Sequence, residues 1–150
     1  MMITCRVANT TDIEAMLGLL AQLFAIETDF QINPLKQRAG LVLLLNSEQG
    51  QIFVAQDNDN GKVVAMCSVQ ILISTAEGGK VGLLEDLIVK TDYRLQGIGQ
   101  QVLQYAITWA KEHNLKRLQL LADKNNQPAL DFYARQQWQT TDLIVLRQLL

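Results

Sequence analysis

The chain has 150 residues, 13 Lys and Arg against 15 Asp and Glu, a formal net charge of -2, and 49% hydrophobic residues. That is the size and composition of one domain with a packed core rather than of a disordered segment. The basic residues are scattered, which argues against a nucleic-acid partner. The most apolar run, residues 41–45, is far too short to cross a bilayer.

Residues 3–8 alternate weakly and read as a first strand. Thr11 and Glu14 have capping-box spacing, and behind them Ala15, Met16, Leu19, Leu20 and Leu23 recur at helical spacing. A loop over residues 26–34 leads to a second helix over 35–45, entered after Pro34. Residues 52–56 form a short strand, and the turn-prone run Asp57-Asn58-Asp59-Asn60-Gly61 joins it to a strand over 63–73, a hairpin. A further turn over 74–79 precedes a strand over 81–89. Its near-continuous apolarity, broken by Glu85 and Asp86, predicts a central position covered on both faces.

A third helix is expected over 97–113, with Ile98, Val102, Ala106, Trp109 and Ala110 on one face. A strand follows over 117–121, then a fourth helix over 127–136 with Pro128 in its first turn, and a closing strand over 143–147. The outline is a single α+β domain spanning residues 1–150. The first residues lack the charged start and long apolar stretch of a secretory signal, so a soluble cytoplasmic protein is expected. Cys5 and Cys67 read as small buried hydrophobes in a reducing compartment. The only histidine, His113, has no cysteine nearby, so no metal is expected.

The most informative segment is Arg94-Leu95-Gln96-Gly97-Ile98-Gly99, followed by Gln100. Two glycines one residue apart let a backbone approach a ligand closely, and a helix starting there aims unpaired amides and its positive dipole end at one spot. Such a place binds phosphate. A dinucleotide fingerprint would need Gly or Ala where Val102 stands, and would follow a first strand rather than sit in mid-chain.

Arg94, Gly97 and Gly99, with the lead-in over 87–93, resemble the first signature of the Gcn5-related N-acetyltransferases. Asn126, Ala129 and Tyr133 resemble their second, with Phe132 before the tyrosine. The resemblance is strong over residues 81–138. It departs at Gln137-Trp138, where a Gly-Phe pair is common and a differently built turn is therefore expected. It also departs at Leu95, where the family often has Gly.

The resemblance implies a GNAT-like fold: a central, mostly antiparallel twisted sheet of six to seven strands flanked by about four helices. It implies acetyl-CoA as co-substrate, held by backbone of Leu87, Ile88 and Val89, by the loop from Arg94 to Gln100, and by Asn126, with Tyr133 as acid for the coenzyme thiolate. Asn126 also reads as a helix cap.

Acetyl transfer to an amine needs a base, because a lysine-like amine with an unperturbed pKa of about 10.4 arrives charged. Glu85 and Asp86 are the candidates. Strand alternation sends them to opposite faces, so one of the two is expected to reach the acceptor, and a resemblance to polyamine acetyltransferases favours Glu85. In relatives the acceptor is roofed by the segment between the first two helices and by the turn before the fourth strand. Here these carry Phe24, Glu27, Asp29 and Phe30, then Ser74, Thr75 and Glu77. The expected acceptor is an amine on a small molecule or peptide, and the family suggests a homodimer. A non-catalytic acyl-CoA-binding sensor or interaction module is the alternative. It would keep the phosphate loop without needing the base or Tyr133.

Overall fold

The computed structural model describes residues 1–150. The elements are β1 (Ile3–Val7), a 3₁₀ turn (Thr10–Asp12), α1 (Ile13–Ile26), α2 (Pro34–Leu45), β2 (Gly50–Asp57), β3 (Lys62–Ser74) and β4 (Gly79–Val89). After these come a second 3₁₀ turn (Thr91–Tyr93), α3 (Ile98–Glu112), β5 (Leu118–Leu120) and α4 (Gln127–Arg135). One sheet runs in the order β1-β2-β3-β4-β5, antiparallel through β4, with β5 parallel to β4. No helix is long and apolar enough to cross a membrane.

The period-2 alternation of β2 and β3 builds two cores. Phe53, Ala55, Ala65, Cys67 and Val69 face α3 and meet Ile98, Val102, Leu103 and Ala106. Ile52, Val54 and Met66, with Ile88 of β4, face α1 and α2 and meet Met16, Leu19, Leu20, Leu23 and Leu41. Residues 64–69 of β3 are all buried, so it is the strand most fully covered on both faces.

Two expectations change. The sheet has five strands, not six to seven, because residues 143–147 do not join it. Residues 139–150 make no backbone–backbone hydrogen bond at all, and β5, three residues long, offers a short ledge. The helix-opening box also lies two residues earlier than Thr11/Glu14. The Asn9 side chain accepts from the Thr11 amide at 3.0 Å, while Asp12 Oδ2 accepts from the Asn9 amide at 2.9 Å. Arg6 of β1 decides this choice by gripping both oxygens of the buried Asp12 at 2.8 and 2.9 Å. Burial pushes the Asp12 carboxyl up, but the bonds from Arg6 and Asn9 and the Arg6 charge outweigh it and hold the carboxyl below the usual range.

Candidate active site

The centre of the site is an irregularity in β4. Met66 pairs with Ile88 and Ser68 with Glu85, so Cys67 alone stands opposite two residues, Asp86 and Leu87. This is a β-bulge. Asp86 takes it up with φ of 57°, a left-handed conformation that Asp tolerates better than most residues. The inserted residue breaks the alternation, so Glu85 and Asp86 do not go to opposite faces. Both line one open cavity of about 410 Å³, together with Leu20, Phe24, Leu41, Leu44, Ser68 and Gln70.

β5 pairs with β4 only from Gly82 to Leu84. Beyond that point residues 85–89 of β4 have a strand neighbour on the β3 side alone. A slot therefore opens between β4 and β5 where the bulge begins.

Acidic groups converge here from four parts of the chain. Burial first, and then the charges of Glu85 and Glu27, push the Asp86 carboxyl up to about 6. Glu27, at the C-terminal end of α1, is raised by burial and by Asp123, Asp29 and Glu85. Asp123 lies just past β5 and Asp29 in the α1–α2 loop. The Phe24 and Phe30 rings lie 5.6 Å apart beside them. Glu77 is not brought to this site. It pairs with Arg117 at 3.2 Å beside the start of β4, about 20 Å along the strand from Glu85 at ~3.3 Å per residue. Ser74 and Thr75 share that distant turn.

Tyr133, half-buried on α4, has its phenol pushed up, chiefly by burial and then by Cys67 and Glu27. Its ring meets Phe132 and Trp138 edge to face. The turn after α4 is built with left-handed geometry despite lacking glycine. Gln137 adopts φ of 67°, Trp138 N–H donates to Tyr133 O, and Gln137 N–H donates to Ala134 O, both at 3.0 Å. This is the Schellman pattern, with Trp138 packed on Tyr133 as its apolar contact. Gln137 thus takes the left-handed position without glycine. Asn126 caps α4, its Oδ1 accepting from the Ala129 amide at 3.3 Å.

The loop before α3 is shaped by two left-handed residues, Leu95 (φ 60°) and Gly97 (φ 79°), and Leu95 is fully exposed at 104%. Chain that curls in this way turns successive N–H groups toward one concavity. Asn33 caps α2 and Asn126 caps α4, whereas Gly97 supplies no side-chain cap to α3. The first amide of α3 with a backbone partner is that of Gln101, so Ile98, Gly99 and Gln100 present free N–H groups. Arg94 is tied back to the sheet. Its Nε donates to Val89 O at 2.8 Å and closes the loop onto the end of β4. A Cβ on Gly99 would lie 3.4 Å from Val89 and 3.6 Å from Phe132, so β4, the α3 start and α4 meet at this glycine.

Two supports of the loop escaped the sequence reading. Tyr93 Oη donates to Asp57 Oδ2 at 2.9 Å, and Asn60 Nδ2 donates to both, each at 3.0 Å. Gln22 Oε1 accepts from Thr91 N and Oγ1 at 3.1 and 3.2 Å. Their only sequence signal was the turn-prone run at 57–61, which says nothing about a partner 33 residues away. No group of three or more His, Cys, Asp or Glu side chains is arranged to hold a metal.

The family model described as the acetyltransferase (GNAT) family matches residues 20–137. The chain belongs to the GNAT acetyltransferase family. Streptothricin acetyltransferase A of Bacillus subtilis is 43% identical over 53 residues, 35% of this chain and 31% of that protein. An uncharacterised N-acetyltransferase of Archaeoglobus fulgidus is 30% identical over 93 residues, 62% of this chain and 63% of that protein. The chain thus spans less than two thirds of these relatives' lengths. Among solved structures, a transcriptional regulator from Bacillus halodurans superposes with a TM-score of 0.87 at 24% identity, covering 99% and 100% of the two chains. AAC(6')-Iy, in complex with the bisubstrate analogue CoA-S-monomethyl-acetylneamine, superposes at 0.84 with 16% identity, covering 99% and 98%. These likenesses carry the GNAT fold.

Proposed function

We propose that this GNAT domain transfers the acetyl group of acetyl-CoA directly to a primary amine on a cationic small molecule or peptide. The observation that carries the reading is the bulge, which puts Glu85 and Asp86 in one cavity beside the slot between β4 and β5.

On this reading the coenzyme diphosphate takes the free amides of Ile98, Gly99 and Gln100, within the loop from Arg94 to Gln100. Backbone of Leu87, Ile88 and Val89 lines the slot for the pantetheine arm. Asn126 acts by fixing α4, which carries Tyr133. The acceptor ammonium is drawn by Glu27 and Glu85 and bounded by Phe24 and Phe30. Asp86, rather than Glu85, takes its proton, because a carboxyl near 6 is matched to deprotonating a group at neutral pH. The free amine then attacks the thioester carbon. The carbon–sulfur bond breaks, the electron pair leaves on sulfur, and the proton that the nitrogen sheds on becoming an amide ends on that sulfur, giving free coenzyme A. Tyr133, whose phenol holds its proton more tightly than usual, donates a hydrogen bond to the departing thiolate.

Cationic acceptors also fit the names of relatives, one acting on streptothricin and one solved with an acetylneamine conjugate. The deciding experiment is a panel of amines with release of free coenzyme A as the readout. Turnover should be confined to cationic amines and lost in Asp86→Asn. Tight coenzyme binding with no turnover on any amine would replace the enzyme by a coenzyme-binding module.

A further inference from the structure

A second cavity lies between α1 and the sheet, towards the β2–β3 turn, and shares no lining residue with the acceptor cavity. Its volume of about 580 Å³ is within the range of small-ligand sites. One face of α1 walls it through Glu14, Gly18 and Gln22, four residues apart. Opposite stand Arg6 of β1, Gln56 of β2, Lys62 of β3 and Lys90, the residue after β4.

The charges around this cavity do not cancel. Arg6 is engaged by Asp12 and by Gln56 Oε1, and Glu14 by Arg38 at 2.6 Å. Asp57, across the strand from Lys62, has its oxygens taken by Tyr93, Asn60 and the Asp59 amide. The ammonium groups of Lys62 and of the half-buried Lys90 have no ion-pair partner. Two cations lining one cavity repel each other, and an anion between them relieves that repulsion. Gly18 is a second, independent sign. A glycine inside a helix is destabilising against alanine, and no atom stands within 4 Å of where its Cβ would be. The packing of the fold therefore does not require the missing side chain, whereas a molecule in the cavity gains a close approach to the helix.

We propose that this cavity binds a small organic dianion, a phosphate monoester or a dicarboxylate, between Lys62 and Lys90, and that the bound dianion steadies the α3 loop. A lysine ammonium is a point charge that suits phosphate and carboxylate alike, and two of them match two negative charges. Both supports of the loop border the cavity. Gln22, in its wall, is the acceptor for Thr91 N and Oγ1, and Lys90 immediately precedes Thr91. Gln56 and Gly61, also in its wall, flank the turn whose Asp57 and Asn60 hold Tyr93. A dianion joining Lys62 to Lys90 ties the hairpin to the loop entrance and favours the shape that takes the coenzyme. By linkage, coenzyme A then raises the affinity for the dianion by the same factor. The coupling rests on the reading given above, that the α3 loop holds the coenzyme diphosphate; the site itself does not.

The test is calorimetric titration of the full chain with glycerol 3-phosphate, with succinate, and with acetate as a monoanion control. Each titration is run without and with saturating coenzyme A. At least one dianion should bind, acetate should bind about tenfold more weakly, and coenzyme A should tighten the dianion severalfold. The double variant Lys62→Gln, Lys90→Gln should weaken dianion binding by about tenfold or more. Gly18→Leu keeps both charges, fills the space and replaces glycine by a better helix former, so it should fold and yet lose the binding. The proposal is overturned if neither dianion binds, if acetate binds equally well, or if both variants bind undiminished. It is also overturned if coenzyme A expels the dianion, which would place the anion on the α3 amides, or leaves its affinity unchanged. A chain that binds no coenzyme A would strike the reading of the loop instead, and the lysine and Gly18 variants would still decide the site.

Discussion

The hydroxyl of Tyr93 donates to the buried carboxylate of Asp57 at 2.9 Å, fastening the entrance of the α3 loop to the β2–β3 turn. Asn60 binds both partners, so the contact is a closed triangle. A hydrogen bond to a charged group contributes about 1.5–3 kcal/mol. Tyr93→Phe should lower the melting temperature and, because the loop then loses its fixed entry, raise the KM for acetyl-CoA severalfold. The KM for the amine should stay unchanged. Equal changes in both constants would remove the loop-positioning role.

The pH dependence follows from the acidic cluster. With the Asp86 carboxyl at about 6, raised by burial, Glu85 and Glu27, kcat/KM should rise with pH through a limb near that value as the base ionises. Removing a neighbouring negative charge lowers the pKa of Asp86, so Glu85→Gln and Glu27→Gln should each move the limb to lower pH. Asp86→Asn should abolish the limb and lower kcat about 100-fold or more. A limb that stays in place in both Gln variants would uncouple these residues.

Asp86 also makes a stability statement. Its folded value of about 6 lies above the 3.8 of an ordinary aspartate, so the native state is penalised for ionising it. The penalty is absent below about pH 4, grows up to about pH 6 and is complete above that. Asp86→Asn should therefore gain stability at neutral pH while losing activity, by up to roughly 2–3 kcal/mol. Denaturant unfolding at pH 4 and pH 7.5 checks it: the gain should appear only at the higher pH.

Gln137 and Gly97 are both left-handed but should respond oppositely to substitution. A non-glycine residue in this region costs about 1–2 kcal/mol. Gln137→Gly relieves that strain and should stabilise by about 1 kcal/mol, raising the melting temperature by about 2–4 °C without touching activity. Gly97→Ala introduces the strain where no atom lies within 4 Å of the new Cβ, so backbone and not crowding is at issue. The fold should survive with coenzyme A affinity reduced about tenfold, measured by calorimetric titration.

The parts of the fold legible in the sequence were those fixed by neighbours along the chain. The 57–61 turn, the Pro-led α2 and α4, and Gly97 at the entry to α3 each carry their geometry locally. The bulge at Asp86 was not legible. It is a register relation between two strands, and its trace in the sequence was a pair of charges interrupting an apolar run. The helix-opening box was ambiguous because Asn9/Asp12 and Thr11/Glu14 both have the right spacing, and Arg6 settled it from another element. Residues 143–147 have the composition of a strand, but a strand exists only beside another, and no composition says where that neighbour is. Glu77 was grouped with the acceptor roof by analogy, and the length of β4 carries it away.

Helix α3 begins without the side-chain oxygen that completes α2 and α4. On the proposed reading the coenzyme diphosphate supplies that missing acceptor, so the bound molecule finishes the fold as well as feeding the reaction. Any ligand that binds only the native state protects it by mass action, about 2.7 kcal/mol at a hundredfold excess over Kd. The survival of this protein in a cell is then tied to its metabolic supply: starved of coenzyme A in both its free and acetylated forms, the chain becomes easier to degrade as well as idle.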